Sequence, residues 1–228
     1  MSENKRLFKK LNINRKKIIS QLLIEIFCGA LLGVSCAQAI SITTKEYSHW
    51  NMAFMIVLFV VMVIFLCTPL WMPVGQIYDI DENRIKVIPP YPIAMKWKLI
   101  MHILCRDDIS AFVETIPLSD IYYGEFSVDR RYAGWGFHNY TYVLTLHLDN
   151  RDIVVVINPM DNGIFIPGGR GGFIFDGLKS REDICNIMKF FEVNQVKIED
   201  PYHMIEALEN TEIVIYDYLE SLDIKIRY

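Results

Sequence analysis

Two long apolar runs near the start of the chain, 18–42 and 52–72, limit what it can fold into more than any other feature. Only the short polar segment 43–51 separates them. Each run supplies about the 20 apolar residues that a helix needs to cross the hydrocarbon core of a bilayer. Pro69 comes only near the end of the second run. A loop this short joins antiparallel neighbours, so a two-helix membrane hairpin over 18–74 is expected, with a soluble domain after it. A cleavable signal peptide is the rival reading of the first run. The basic start and the small residues Ser35–Cys36–Ala37 fit it, but the apolar core is too long and a second run follows closely.

Charge sets the expected orientation. Residues 1–17 carry Lys5, Arg6, Lys9, Lys10, Arg15, Lys16 and Lys17 against Glu3, a net of +6, whereas the interhelical segment carries only Lys45 and Glu46. Cytoplasmic segments are the ones rich in Lys and Arg. The expectation is therefore a multi-pass protein of the cell (inner) membrane, with both termini cytoplasmic and the short loop external. The leader also interleaves Leu7, Phe8, Leu11 and Ile13 with its cations, so it is equally suited to lie along an anionic leaflet, where each cation contributes about 1 kcal/mol. Residues 75–228 hold 15 basic and 24 acidic residues, a net of −9. That balance argues against a nucleic-acid partner, since phosphate binding needs a basic face.

No catalytic, cofactor or metal signature stands out. Cys28, Cys36 and Cys67 lie in the apolar runs, and Cys105 and Cys185 stand alone further on, without metal-type spacing. His49, His102, His138, His147 and His203 show no ligand spacing either, and no nucleophile motif occurs. The expected role is binding rather than catalysis, with no cofactor.

From Gln76 onward the pattern is strand-rich. Segments 76–80 and 84–88 alternate around Asp81–Glu82–Asn83 as a hairpin, and Pro89, Pro90 and Pro92 end the ladder. In 93–105, Met95, Trp97, Leu99, Met101 and Ile103 alternate with polar residues, which favours a strand. The same residues, with Ile100 and Leu104, also make an amphipathic helix lying on the bilayer. Segment 130–136 reads as a polar loop, 140–148 and 153–157 as strands, and Ser180 with Asp183 as a capping-box start of a helix to about Glu192. Asp200–Pro201 reads as the cap of a shorter helix through Leu208, and 213–228 as either helix or strand.

Ile116–Pro117–Leu118–Ser119–Asp120–Ile121, Gly134–Trp135–Gly136 ahead of the strand–Asp149–Asn150–Arg151–strand unit, Asn158–Pro159 and the helix from Ser180 carry a resemblance. In this order, after a membrane hairpin, they resemble the bacterial pleckstrin-homology-like (PH-like) domains over roughly 76–193. The chain departs from that family in the insertion 161–177 and in the continuation beyond Glu192. The resemblance implies an α+β domain: a curved PH-like antiparallel β-barrel or sandwich with C-terminal helices, acting as a binding module. The expected organisation is a basic leader (1–17), the hairpin (18–74), a PH-like domain with its capping helix (75–193) and a C-terminal α/β extension (194–228).

Five groups of residues are candidates for function. Gly168, Gly169, Arg170, Gly171 and Gly172 place backbone N–H groups beside an arginine, suited to a partner or an anion; the plain alternative is a flexible turn. Arg130, Arg131, Tyr132 and Trp135 form an electropositive-aromatic segment suited to a peptide or lipid headgroup. Lys96, Trp97 and Lys98 resemble an interfacial anchor, and with Arg84 and Lys86 would give the domain a membrane-facing cationic side despite its net charge. Gly29, Gly33 and Ala37 form a small-residue stripe that either seats the second helix or supports a homo-oligomer through Gly29 and Gly33. Glu25 is an intramembrane acid, by default a functional candidate.

The leading expectation is a membrane-anchored cytoplasmic module that contacts membrane lipids and engages a protein partner or lipid headgroup. One alternative is an immunity or resistance protein against a membrane-acting toxin or bacteriocin. Another is a subunit of a membrane enzyme or transporter that uses Glu25.

Overall fold

The computed structural model describes residues 10–45, 48–134, 137–159, 178–224 and 226–227. The chain forms two compact units. A helical unit is made of Ile13–Met72 and Pro92–Ile109. A strand unit is made of Pro73–Tyr91 and Ser110–Tyr228, with the leader through Asn12.

In the helical unit the apolar runs are α1 (Arg15–Thr44) and α2 (His49–Trp71). Both are long and apolar enough to cross a membrane. Asn14 starts α1 by accepting a hydrogen bond from the Lys17 N–H at 3.0 Å. The inward face of α1 is Ile18, Gln21, Glu25, Gly29, Gly33 and Ala37, a stripe at helical spacing that is mostly small or polar. A Cβ added at Gly29 would lie 2.7 Å from the Val60 Cα, and one at Gly33 would lie 2.5 Å from the Ile56 Cα. Only glycine allows the two backbones to approach this closely. The outward faces carry the long apolar side chains, including Leu23, Phe27, Leu31, Phe54, Val61 and Phe65, all exposed.

The third element of this unit corrects the reading of 93–105 that alternation favours. The segment is a helix, α3 (Ile93–Arg106), beginning after Pro92. Its buried residues, Leu99, Ile100 and Ile103, follow i, i+1, i+4 spacing rather than period two. Met95, Lys96, Lys98, Leu99 and Met101 are all strong helix formers, and no β-branched run opposes them. Asp107 ends the helix in the left-handed region (φ 55°), its N–H donating to the Ile103 carbonyl at 2.8 Å.

The strand unit has two sheets. The first is a meander of β1 (Gln76–Asp81), β2 (Arg84–Ile88) and β3 (Glu114–Pro117). The second contains β4 (Ile121–Gly134), β5 (Phe137–Leu148), β6 (Asp152–Pro159), β7 (Leu178–Lys179) and β8 (Lys197–Glu199), in the order β7-β6-β5-β4-β8. A short β9 (Ile226–Arg227) also pairs with β4. The pairs β4–β8, β4–β9 and β6–β7 are parallel. The expected α+β domain is present as two sheets with C-terminal helices, and no closed barrel is formed among the described residues. Gly75, at φ 71°, turns the chain into β1. Its N–H donates to the Ile88 carbonyl at 2.7 Å, and its own carbonyl accepts from the Val156 N–H at 2.6 Å, tying β1 to β6.

The core is shared by the whole unit. Ile77, Ile85, Val87 and Ile116 of the first sheet pack with Phe126, Tyr142, Leu144 and Val155 of the second. Helix α4 (Arg181–Val193) adds Ile184, Ile187, Met188 and Phe191, one face at i, i+3, i+4, i+7. Its start is a full capping box: the Asp183 N–H donates to the Ser180 Oγ, and the Ser180 N–H to the Asp183 Oδ2. Helices α5 (Met204–Glu209) and α6 (Ile215–Ser221) place Met204, Ala207, Leu208, Ile215 and Leu219 in the same core. Helix α5 begins three residues later than the Asp200–Pro201 cap predicts. Asp200 instead bridges the turn, its Oδ2 accepting from the Ile205 N–H at 2.7 Å.

Two further details depart from the charge-based expectation. The end of the leader docks on a strand: the Leu11 N–H donates to the Tyr78 carbonyl at 2.9 Å, and Lys10 lies 3.6 Å from Asp79 and over the Tyr78 ring. Arg84 and Lys86 do not form an open cationic face, because Asp81 sits 3.5 Å from Arg84 and 2.6 Å from Lys86.

Candidate functional site

The described candidate residues fall on separate elements of the two units. Gly168, Gly169, Arg170, Gly171, Gly172 and Trp135 lie outside the described residues. Arg131 and Tyr132 belong to β4, so segment 130–136 is strand as far as Gly134, not loop; their side chains also lie outside the described set. The loop reading failed because Asp129–Arg130–Arg131 looks polar in sequence, while β4 there is paired on one side by β5 and on the other by β9.

Arg130 has an internal partner. Its guanidinium lies 2.8 Å from the Glu220 carboxylate of α6, and the other carboxylate oxygen of Glu220 accepts from the Tyr140 hydroxyl at 2.8 Å. Tyr140 is fully buried and packs edge-on against Tyr216. Burial first, then the Glu220 carboxylate that holds its proton, pushes the Tyr140 phenol well above the usual tyrosine range. This network fastens α6 to the sheet. Arg181 acts similarly, its guanidinium donating to the carbonyls of Ala207, Leu208, Asn210 and Ile213 around the end of α5.

Glu25 lies between α1 and α2. Gln21 and Glu25 are each 3% exposed. The Gln21 amide donates to one carboxylate oxygen of Glu25 at 2.8 Å, and the Thr68 hydroxyl to the other at 2.5 Å. The acid is thus matched by two donors inside the hairpin. Gly29, Gly33 and Ala37 continue the same buried face, so the two glycines are already covered by α2. Lys96, Trp97 and Lys98 lie on α3, where Trp97 stacks on Phe65 of α2 with ring centroids 5.8 Å apart.

One feature is not legible as a motif. A groove of about 550 Å³ opens between the end of α4, β8 and α5. Met188, Val196, Ile198 and Ile205 give it apolar walls, and Lys189, Lys197, Glu192 and Glu209 add charges of both signs. Lys189 lies 3.4 Å from Glu209, and Lys197 lies 2.6 Å from Glu199. The Glu199 carboxylate, through that hydrogen bond and its charge, holds the Lys197 ammonium above the usual lysine range. Gln195, another lining residue, sits at φ 62°, an uncommon conformation for a non-glycine residue. Gly124 admits the strand behind the groove: a Cβ there would lie 2.7 Å from the Ile198 Cδ1. Capture of an apolar side chain flanked by polar groups is the chemistry such a groove supports.

Elsewhere on the second sheet, His147 Nδ1 lies 2.8 Å from Asp152, and the ring stacks on Tyr123 at 4.2 Å. No cluster of three or more His, Cys, Asp or Glu poised to hold a metal ion occurs among the described residues. Burial raises the pKa of the Cys185 thiol, which keeps it protonated and a poor nucleophile. Comparison of the chain with protein-family models, with curated proteins and with solved structures finds no match.

Proposed function

We propose that this chain is a membrane-anchored binding protein. The hairpin α1–α2 crosses the bacterial inner membrane, and the strand unit is a cytoplasmic module of PH-like type that engages a protein partner or lipid headgroup. The observation that carries the reading is the inverted polarity of the helical unit. Its outer surface is Leu, Ile, Val and Phe, while Gln21, Glu25 and Thr68 are buried inside. In water, exposed apolar surface forgoes roughly 25 cal/mol per Å² of stabilisation, and burying Glu25 instead would reverse the usual order of folding. In hydrocarbon the same arrangement is favourable, because polar groups satisfy one another between helices. The net charge of +6 over residues 1–17 supports a cytoplasmic N-terminus. The meanders β1–β2–β3 and β4–β5–β6, with α4 packed on the core, support the PH-like assignment of the strand unit. The groove at Met188, Lys197 and Ile205 is the proposed contact site for a protein partner.

Site-specific photo-crosslinking of the full chain in native membranes tests the binding role. A benzophenone side chain at Lys197 should give a discrete adduct that is lost when Ile205→Glu closes the apolar wall, at unchanged protein level. The same probe at Val154, on a different exposed strand position, should give none. Identical adduct patterns at both positions would contradict a binding role for the groove.

A further inference from the structure

We infer that α3 is a third membrane-contacting element, lying in the interface of the inner leaflet with an apolar stripe toward the acyl chains and Lys98 toward anionic phosphate. This rests on the membrane reading of α1 and α2 and adds to it a surface that binds lipid. The helix has two apolar faces. Leu99, Ile100 and Ile103 are buried within the protein. Ala94, Trp97, Met101 and Cys105 recur at i, i+3, i+7 and i+11, which is a second stripe. On that side Met101 is 54% exposed, as is Ile93 at 59%. An aqueous helix would carry charge there; here the stripe itself holds no charged residue, and Lys98 is exposed at its edge.

Contacts inside the helical unit identify what covers the stripe. The Trp97 ring stacks on Phe65 with planes 24° apart, and Phe65 is itself 61% exposed on the outer surface of α2. The stripe therefore continues the surface that the hairpin presents to lipid. Phe65 lies six residues before Trp71, the last residue of α2, or about 9 Å along the axis. The far end of α3 meets the first residue of α1: the Arg15 N–H donates to the Asp107 carboxylate at 2.7 Å, and the Arg15 guanidinium to the Cys105 carbonyl at 2.9 Å. Both contacts fall at the end of the hairpin where α1 begins and α2 stops. The Asp107 carboxylate faces the positive end of α1, and the Arg15 cation faces the negative end of α3, so each helix terminus is matched by the other's charge. At 14 residues α3 is about 21 Å long, too short to cross the bilayer but suited to lie along its interface.

Depth-dependent quenching on the full chain tests this. With Cys28, Cys36, Cys67, Cys105 and Cys185 replaced, single cysteines at Phe54, Met101 and Val193 are labelled with a nitrobenzoxadiazole fluorophore. The protein is reconstituted in phosphatidylcholine/phosphatidylglycerol vesicles containing nitroxide lipids. The label at 54 should be quenched and the label at 193 should not. The label at 101 should be quenched at least twofold more by shallow than by deep nitroxides. Quenching at 54 with none at 101 overturns the inference and leaves the hairpin intact. Absence of quenching at 54 overturns the membrane reading, and the inference with it. The wild-type chain provides a second readout that needs no substitution: photoactivatable phosphatidylglycerol should leave adducts on the 93–106 peptide, and adducts confined to α1 and α2 would overturn the proposal.

Discussion

Tyr140 and Glu220 show how a single residue pair holds the C-terminal segment. The phenol is fully buried, donates to Glu220, and shares that carboxylate with Arg130. Its proton is held above the ordinary tyrosine value of 10, chiefly by burial and then by the carboxylate it bonds. In the unfolded chain the same phenol ionises at about 10. Its contribution to stability is thus complete below pH 10 and is lost as pH rises from 10 toward the raised folded value, because the unfolded state releases the proton first. Replacing Tyr140 by Phe should cost about 1.5–3 kcal/mol at pH 8, the range for a hydrogen bond to a charged group. The difference between variant and wild type should shrink between pH 10 and 11 in thermal unfolding of the detergent-solubilised chain. A difference that stays constant over that range would mean the hydrogen bond does not stabilise the fold. None of this was legible locally: Tyr140 and Glu220 lie 80 positions apart, and Arg130 reads as a free cation beside a glycine-containing segment.

At the scale of elements, the two helices of the hairpin are fixed by their small residues. Any side chain at Gly33 meets the α2 backbone, so α2 must move outward. Gly33→Ala should destabilise the hairpin by about 1–3 kcal/mol, the usual range for overpacking, and lower the sodium dodecyl sulfate fraction at which the helices separate. A midpoint equal to wild type would show that the close approach at Gly33 is not needed. The sequence announced the two apolar helices, the glycine stripe and the capped start of α4, because each is a pattern within one element. It left α3 open between strand and helix, because Met95, Trp97, Leu99, Met101 and Ile103 fall at alternate positions although the burial follows a helical period. The groove between α4, β8 and α5 was illegible for a further reason. Its walls come from three elements that meet only when the C-terminal helices join the core, and no spacing in the chain records that meeting.

For the whole molecule, the proposed function puts the hairpin across the membrane and the strand unit on the cytoplasmic side. Charge and polarity agree on it. The cations of residues 1–17 flank one end of the apolar pair, few charges flank the other, and 75–228 is acidic with a net of −9. Segment 73–75, between α2 and β1, spans at most about 10 Å. The most direct measurement is cysteine accessibility in intact cells, using the chain without its native cysteines and a membrane-impermeant maleimide. A cysteine at Ser48, in the segment between α1 and α2, should be labelled in intact cells. One at Val193, exposed on the strand unit, should be labelled only after the membrane is opened. Labelling of Val193 in intact cells, or protection of Ser48 until the cells are broken, would contradict the account.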